Sequence, residues 1–329
     1  MASGGELPDD FFYDLKSFER ETPTSELPST FAAPYHSFAF ESAKRSNLHY
    51  LDDGATLLYA AGNYLHFIDL ATMKQSYLPS VGGRGIGAIA VHPSKQYICV
   101  AEVGAEGAPP AAYLYEYPSL RLYRVLRHGT ERAYTAVCFN VLGDKVASVG
   151  AFPDFMLTVW NWKQEQITLR SKAFAQEVFN VSFSPRTDGL LVTSGMVHIR
   201  FWKMAHTFTG LKLQGEMGKF GTVDLSDISG YIELPDGKVV STTETGRLLV
   251  WEGGLIKTEV QRPGGVPIHA GTIDSIVIDE EAQQARTGDA NPNPYPNPDP
   301  NQMLTGGDDA NPSPSPNPNP RPHLHPNPT

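Results

Sequence analysis

The sequence predicts an all-β propeller of about five recognisable blades plus a partial sixth, and three observations predict it. A short strand motif recurs, its recurrence has a blade-like period, and helical periodicity is almost absent between the repeats. The motif is two alternating apolar positions, then an aromatic or large apolar residue, then a polar or charged one. It stands at Leu65–Asp69, Tyr113–Glu116, Leu157–Asn161, Ile199–Lys203 and Leu248–Glu252. Its key positions, Ile68, Tyr115, Trp160, Trp202 and Trp251, lie 47, 45, 42 and 49 residues apart. That is close to the roughly 40–45 residues of a four-stranded blade. Packing between neighbouring blades is the expected role of these five residues.

Taken in order, residues 1–44 carry eight acidic against three basic residues, a net of −5. They read as an acidic leader, solvated and poorly ordered, with a basic surface as the alternative contact. Residues 45–290 read as the propeller. Upstream of each key position from Tyr115 onward come an apolar run, a turn and a second apolar run ending in small residues. The pairs are Gly87–Val91 with Tyr97–Ala101, Ala136–Phe139 with Lys145–Gly150, Val178–Pro185 with Leu190–Gly195, and Tyr231–Leu234 with Val239–Thr242. The turns between them are Pro93-Ser94-Lys95, Leu142-Gly143-Asp144, Pro185–Gly189 and Pro235-Asp236-Gly237. Proline presets one turn torsion and glycine supplies a positive φ, so these are hairpin signals with a mechanism. A sixth unit opens at Ile268 with the apolar run Ile273–Ile278.

Composition then changes. Residues 291–329 hold 13 of the 27 prolines, alternating with Asn, Ser and Asp, and read as a disordered tail. Inside it, Met303–Asp309 looks like the second-strand-and-turn piece of a blade. Near-duplicate Gly-Asp-Ala-Asn junctions before each Asn-Pro run suggest simple-sequence nucleic acid read through as protein, and hence a gene-model artefact.

The formal net charge is −10, and most of it sits in the leader and tail. No basic stripe exists to neutralise phosphates, which argues against nucleic acid or an anionic membrane as partner. Cys99 and Cys138 lie in apolar runs and read as core thiols of a reducing compartment. The N-terminus has no basic start or apolar stretch, so no secretory signal is expected. Gly85–Ala90 matches a loose dinucleotide fingerprint, but a loop precedes it and an apolar strand follows, so it reads as a turn. The ten histidines show no ligand spacing, and no nucleophile elbow or phosphate loop occurs. No catalytic, cofactor-binding or metal-ligating residues are therefore assigned, and no enzyme is expected.

The repeat resembles the WD40-type family, with departures. The signature Trp-Asp is replaced by Trp160-Asn161, Trp202-Lys203 and Trp251-Glu252, and no blade opens with Gly-His. Apolar packing is therefore expected to carry more of the stabilisation than that family's polar network. More specific stretches are Pro8–Asp14, Lys44–Leu48 with Leu51-Asp52-Asp53, Tyr115–Arg121, Leu157–Lys163, Phe208–Gly215 and Glu233–Lys238. On these the chain resembles the N-terminal part of the cilia- and flagella-associated protein 44 family. The resemblance implies a non-enzymatic axonemal scaffold of motile cilia and flagella, in the tether complex that links inner dynein arm motor domains to the doublet microtubule. Implied partners are a related WD-repeat tether protein, the inner dynein arm and the doublet microtubule, with no nucleic acid and no membrane. The alternatives are a generic cytosolic WD-repeat scaffold and a microtubule-associated propeller.

Overall fold

In the computed structural model of the chain, residues 6–18, 35–51, 54–105, 107–279, 281, 284–289 and 303–304 are described. They form six antiparallel sheets, each drawn from one consecutive stretch of chain. Blade 1 is β1 (Leu48–Leu51), β2 (Thr56–Ala61), β3 (Tyr64–Asp69) and β4 (Gln75–Pro79). Blade 2 is β5 (Ile86–Val91), β6 (Tyr97–Glu102), β7 (Ala111–Glu116) and β8 (Leu122–Arg127). Blade 3 is β9 (Tyr134–Phe139), β10 (Val146–Gly150), β11 (Met156–Asn161) and β12 (Gln166–Lys172). Blade 4 is β13 (Val178–Phe183), β14 (Leu190–Gly195), β15 (His198–Thr207) and β16 (Gly210–Met217). Blade 5 is β17 (Tyr231–Glu233), β18 (Val239–Thr242), β19 (Leu248–Glu252) and β20 (Leu255–Val260). The sixth sheet has β21 (Ile273–Asp279), β22 (Gln284–Asp289) and β23 (Met303–Leu304).

The hairpin turns work as their chemistry predicts, with one variation. Gly143, Gly189 and Gly237 take φ of +73°, +80° and +82° at the first turn of blades 3, 4 and 5. Blade 2 has no glycine there, and Lys95 adopts φ +62° in its place, a conformation that costs a side-chain-bearing residue strain energy.

The core lies between the blades, not within them. Separate apolar clusters fill the seams between blades 1 and 2, 2 and 3, 3 and 4, and 4 and 5, and between blade 5 and the sixth sheet. A sheet has two faces, and stacking blades radially buries both without requiring any long helix.

Two expectations need correction. Met303–Leu304 is the third strand of the sixth sheet, pairing Leu304 with Ala285 and Met303 with Arg286. The second-strand place belongs to Gln284–Asp289, the next strand after β21 in the chain, which pairs Thr287 with Ile276. The nearer segment reaches the ladder with less loop closure. The rest of the proline-rich tail lies outside the described residues. The described parts of the leader are also not a free arm: residues 6–18 lie on blades 2 and 3, and residues 35–47 on blade 1, with Arg45 reaching Asp274 of the sixth sheet.

Candidate interaction surfaces

Four of the five repeat residues are buried: Tyr115 and Trp202 are 1% and 2% exposed, and Trp160 and Trp251 are fully enclosed. Each faces the preceding blade, in the seams between blades 1 and 2, 2 and 3, 3 and 4, and 4 and 5 respectively. Ile68 is only half-buried, because among the described residues no blade packs on its side of blade 1. The structure also shows what the sequence reading missed. The three indole N–H groups donate to hydroxyls on the second strand of their own blades: Trp160 to Ser148 at 2.9 Å, Trp202 to Thr193 at 2.9 Å and Trp251 to Ser241 at 2.8 Å. Part of the polar network thus survives, since a buried indole needs an acceptor. Around Trp251 an aromatic flank does the rest, with Phe220 at 5.3 Å edge-on. The signal was a Ser or Thr at one position of the second strands of blades 3, 4 and 5.

The leader is built into the rim. Arg124 on β8 is 0% exposed, and its guanidinium donates to the carbonyls of Pro8 (2.7 Å), Phe11 (2.8 Å), Tyr123 (2.8 Å) and Lys163 (2.6 Å). Four carbonyl dipoles converge on a cation taken out of water, which is how a buried charge stays tolerable. Phe12 packs on Tyr123 with ring centroids 5.3 Å apart and lies under the Arg121 guanidinium. Tyr13 donates its hydroxyl to Glu165, and Leu7 exchanges hydrogen bonds with the Gln164 amide. Further on, Ser37 pairs with Gln75, and Asn47 makes a two-way bond with the Ala60 backbone. The described parts of the leader are thus held mainly by backbone carbonyls, aromatic rings and neutral side chains, and they meet Arg124 through the Pro8 and Phe11 carbonyls, not through the leader's carboxylates.

The glycines of the dinucleotide-like stretch are structural. A Cβ on Gly87 would sit 2.0 Å from the Tyr134 carbonyl oxygen, so this glycine lets β5 approach blade 3. Burial pushes the Cys99 thiol up and the Cys138 thiol to about 12, so neither offers a thiolate at neutral pH. Among the described residues no group of three or more His, Cys, Asp or Glu side chains could hold a metal ion. Glu102 is the unusual ionisable group. It is 2% exposed and accepts N–H bonds from Val81 (2.6 Å) and Gly82 (2.7 Å). Desolvation outweighs both bonds and raises its pKa to about 7.

Interaction surface is plentiful. Blade 1 exposes Leu48, Tyr50 and Tyr64, and the segment before it exposes Phe38 and Phe40. Phe208, at the tip of the long β15–β16 hairpin, and Leu142, in the first turn of blade 3, are also exposed. A cleft of about 470 Å³ opens between blades 4 and 5, floored by Leu190, Val192, Phe201 and Val239.

No protein-family model matches the chain. Cilia- and flagella-associated protein 44 of Mus musculus is 51% identical over 277 residues, 83% of this chain and 15% of that protein. Its namesake in Chlamydomonas reinhardtii is 53% identical over 73% of this chain and 14% of that protein. Echinoderm microtubule-associated protein-like 2 of Mus musculus is 29% identical over 74% of this chain and 38% of that protein. Among solved structures, a chain of the mitotic checkpoint complex matches with TM-score 0.57 at 16% identity, covering 73% of this chain and 70% of that one. The Myceliophteria thermophila Cps50 (Swd1) β-propeller domain matches with TM-score 0.51 at 9% identity, covering 62% of each chain. At such identities the structural matches show the fold alone, a WD40 β-propeller. The chain spans about one-seventh of the length of the first two relatives.

Proposed function

The chain is a homologue of a stretch of cilia- and flagella-associated protein 44, and on that premise we propose that it is a WD-repeat scaffold of the ciliary and flagellar axoneme. Its blades hold loops and seams rigid so that other proteins dock on them, and it performs no catalysis. The finer reading is that these partners are a related WD-repeat protein, the inner dynein arm and the doublet microtubule, joined as a tether during beating. The observation that carries the proposal is identity of 51–53% over most of the chain, which is far more than shared propeller geometry requires. Similarity to a microtubule-associated protein-like propeller favours a second reading, direct microtubule binding. The excess of 36 acidic over 26 basic residues disfavours it against an acidic lattice.

The test is fractionation of the tagged natural product. It is expected to remain with detergent-extracted motile axonemes, and its loss to alter beating without abolishing axoneme assembly. Complete recovery in the soluble cytosol overturns the proposal. Co-sedimentation of the purified chain with bare microtubules at physiological salt would favour the second reading.

A further inference from the structure

The seam between blades 2 and 3 and the seam between blades 4 and 5 occupy the same place in the repeat but are finished differently. Tyr115 and Trp202 hold equivalent positions, paired with Ile98 and Leu191. On that register Glu216, opposite Phe201, stands where Arg124 stands opposite Leu114. Glu233, opposite Val239, stands where Phe139 faces Val146. Gly253 follows Trp251 by two residues, as Trp162 follows Trp160, and Leu190 stands where Tyr97 does.

Around Trp162 the first seam is filled, and an opening of about 570 Å³ remains beside it, lined by His92, Tyr97, Asp144, Asn161 and Lys163. Trp162 packs against Tyr97, Tyr123 and Phe139 with centroids 5.2–6.0 Å apart, and the leader adds Phe12 over Tyr123. It is in effect a peptide site with its peptide in place. An extended acidic-aromatic segment is held by its carbonyls on Arg124 and by one aromatic anchor. The second seam is packed around Trp251 by Phe201 and Phe220 but has no counterpart of Trp162, Tyr97 or Phe139, and there the cleft of about 470 Å³ opens, within the usual range for ligand pockets. Its rim carries Glu216 and Glu233 against Lys203. Among the described residues neither carboxylate is in an ion pair, and Glu233 accepts a hydrogen bond from the Ser184 hydroxyl at 2.8 Å.

We propose that the cleft between blades 4 and 5 is a docking site for an extended segment of a partner protein, carrying an aromatic anchor with Lys or Arg beside it. The anchor fills the place that Trp162 and its neighbours fill two blades earlier. The basic flank meets Glu216 and Glu233, where the leader's carbonyls meet Arg124. This deepens the scaffold reading and rests on it only for the ligand being a protein. Failure at the cleft leaves the axonemal fractionation result untouched.

The probe is a fluorescein-labelled peptide copying residues 6–18 with Glu6→Lys, Asp9→Lys, Asp10→Lys and Asp14→Lys, titrated against the full chain by fluorescence anisotropy. Saturable binding is expected, weakened at least roughly tenfold by Leu190→Tyr and by Glu216→Arg, each of which copies a residue of the filled seam. Glu216 is exposed on the outer strand of its blade, so Glu216→Arg preserves the fold even if Leu190→Tyr does not, and circular dichroism checks both. Absence of saturable binding, or equal affinity for the wild type and the folded variants, overturns the proposal. So does the unaltered acidic peptide binding as tightly with the same sensitivity to Glu216→Arg.

Discussion

Ser241 and Trp251 show how single residues divide the work inside a seam. The indole of Trp251 contributes apolar area to the neighbouring blade, and its one polar atom is satisfied by Ser241 at 2.8 Å. Trp251→Ala is expected to cost about 3–5 kcal/mol through the cavity it leaves. Ser241→Ala is expected to cost about 1–3 kcal/mol, because it strands a buried donor while removing almost no volume. Denaturant unfolding of the two variants separates these effects, and a neutral Ser241→Ala would show the bond to be dispensable. Glu102 makes a second residue-scale prediction. Its folded pKa of about 7 lies above the ordinary carboxylate value of 4.5, so the folded state binds the extra proton. Its contribution is full below pH 4.5 and is lost as pH rises through 7, an effect on the order of 3 kcal/mol. Glu102→Gln is expected to flatten the fall in melting temperature between pH 5 and 8 that the wild type shows. An unchanged profile would remove Glu102 as its source.

At the scale of elements, the leader and blade 2 depend on one another. The outer strand of blade 2 would otherwise present an unpaired edge, and residues 7–13 cover part of it, with the Tyr13 N–H donating to the Leu122 carbonyl at 2.9 Å. Arg124 is the clamp. Arg124→Met keeps the length of the side chain but removes the donors to Pro8 and Phe11, each charge-assisted bond being worth about 1.5–3 kcal/mol. The leader is therefore expected to come away. Hydrogen exchange at the Leu7 and Tyr13 amides should accelerate at least roughly tenfold while the blade 3 ladder keeps its protection. Retained protection at Tyr13 would show that the aromatic contacts suffice alone. Neither outcome was readable from the leader itself, whose composition is that of a solvated arm. What captures it is placed by blades 2 and 3: the Arg124 guanidinium, the Tyr123 ring and the Gln164 and Glu165 side chains.

For the whole molecule the decisive feature is the face of blade 1 turned away from blade 2, on which no blade packs among the described residues. Leu57, Tyr59, His66 and Ile68 there repeat the register of Ile98, Val100, Tyr113 and Tyr115, which in blade 2 pack against blade 1. Tyr59 and His66 are covered by their own stacked rings and by Phe40, while Leu48 and Tyr50 are half or more exposed. Arg45 reaches from the segment before β1 to the sixth sheet, pairing with Asp274 at 3.0 Å, a link at one point and not a packed seam. The isolated chain is therefore expected to self-associate or bind chaperones more than a version in which further blades are supplied. Light scattering and thermal melts compare the two directly. Leu48→Lys combined with Tyr50→Asp should reduce association of the isolated chain. Equal monodispersity and equal melting of the short and extended versions would contradict the open-seam account.

The repeat itself was legible because strand periodicity, turn chemistry and one large apolar residue per blade are local properties, written within about 45 residues of chain. From Tyr115, Trp160, Trp202 and Trp251 the sequence by itself determined an all-β molecule of repeated blades, and its divergence from Trp-Asp already indicated an altered network. Tertiary structure alone decided which residue faces which. The Ser and Thr partners of the indoles lie 9–12 residues away across a hairpin. Arg124 meets Pro8 across 116 residues. The cleft between blades 4 and 5 has Gly253 in its lining, two residues past Trp251, where blade 3 carries Trp162 two residues past Trp160. A seam is the meeting of two faces that come from different stretches of chain. Its contents depend on both surfaces at once, which no stretch of one strand encodes.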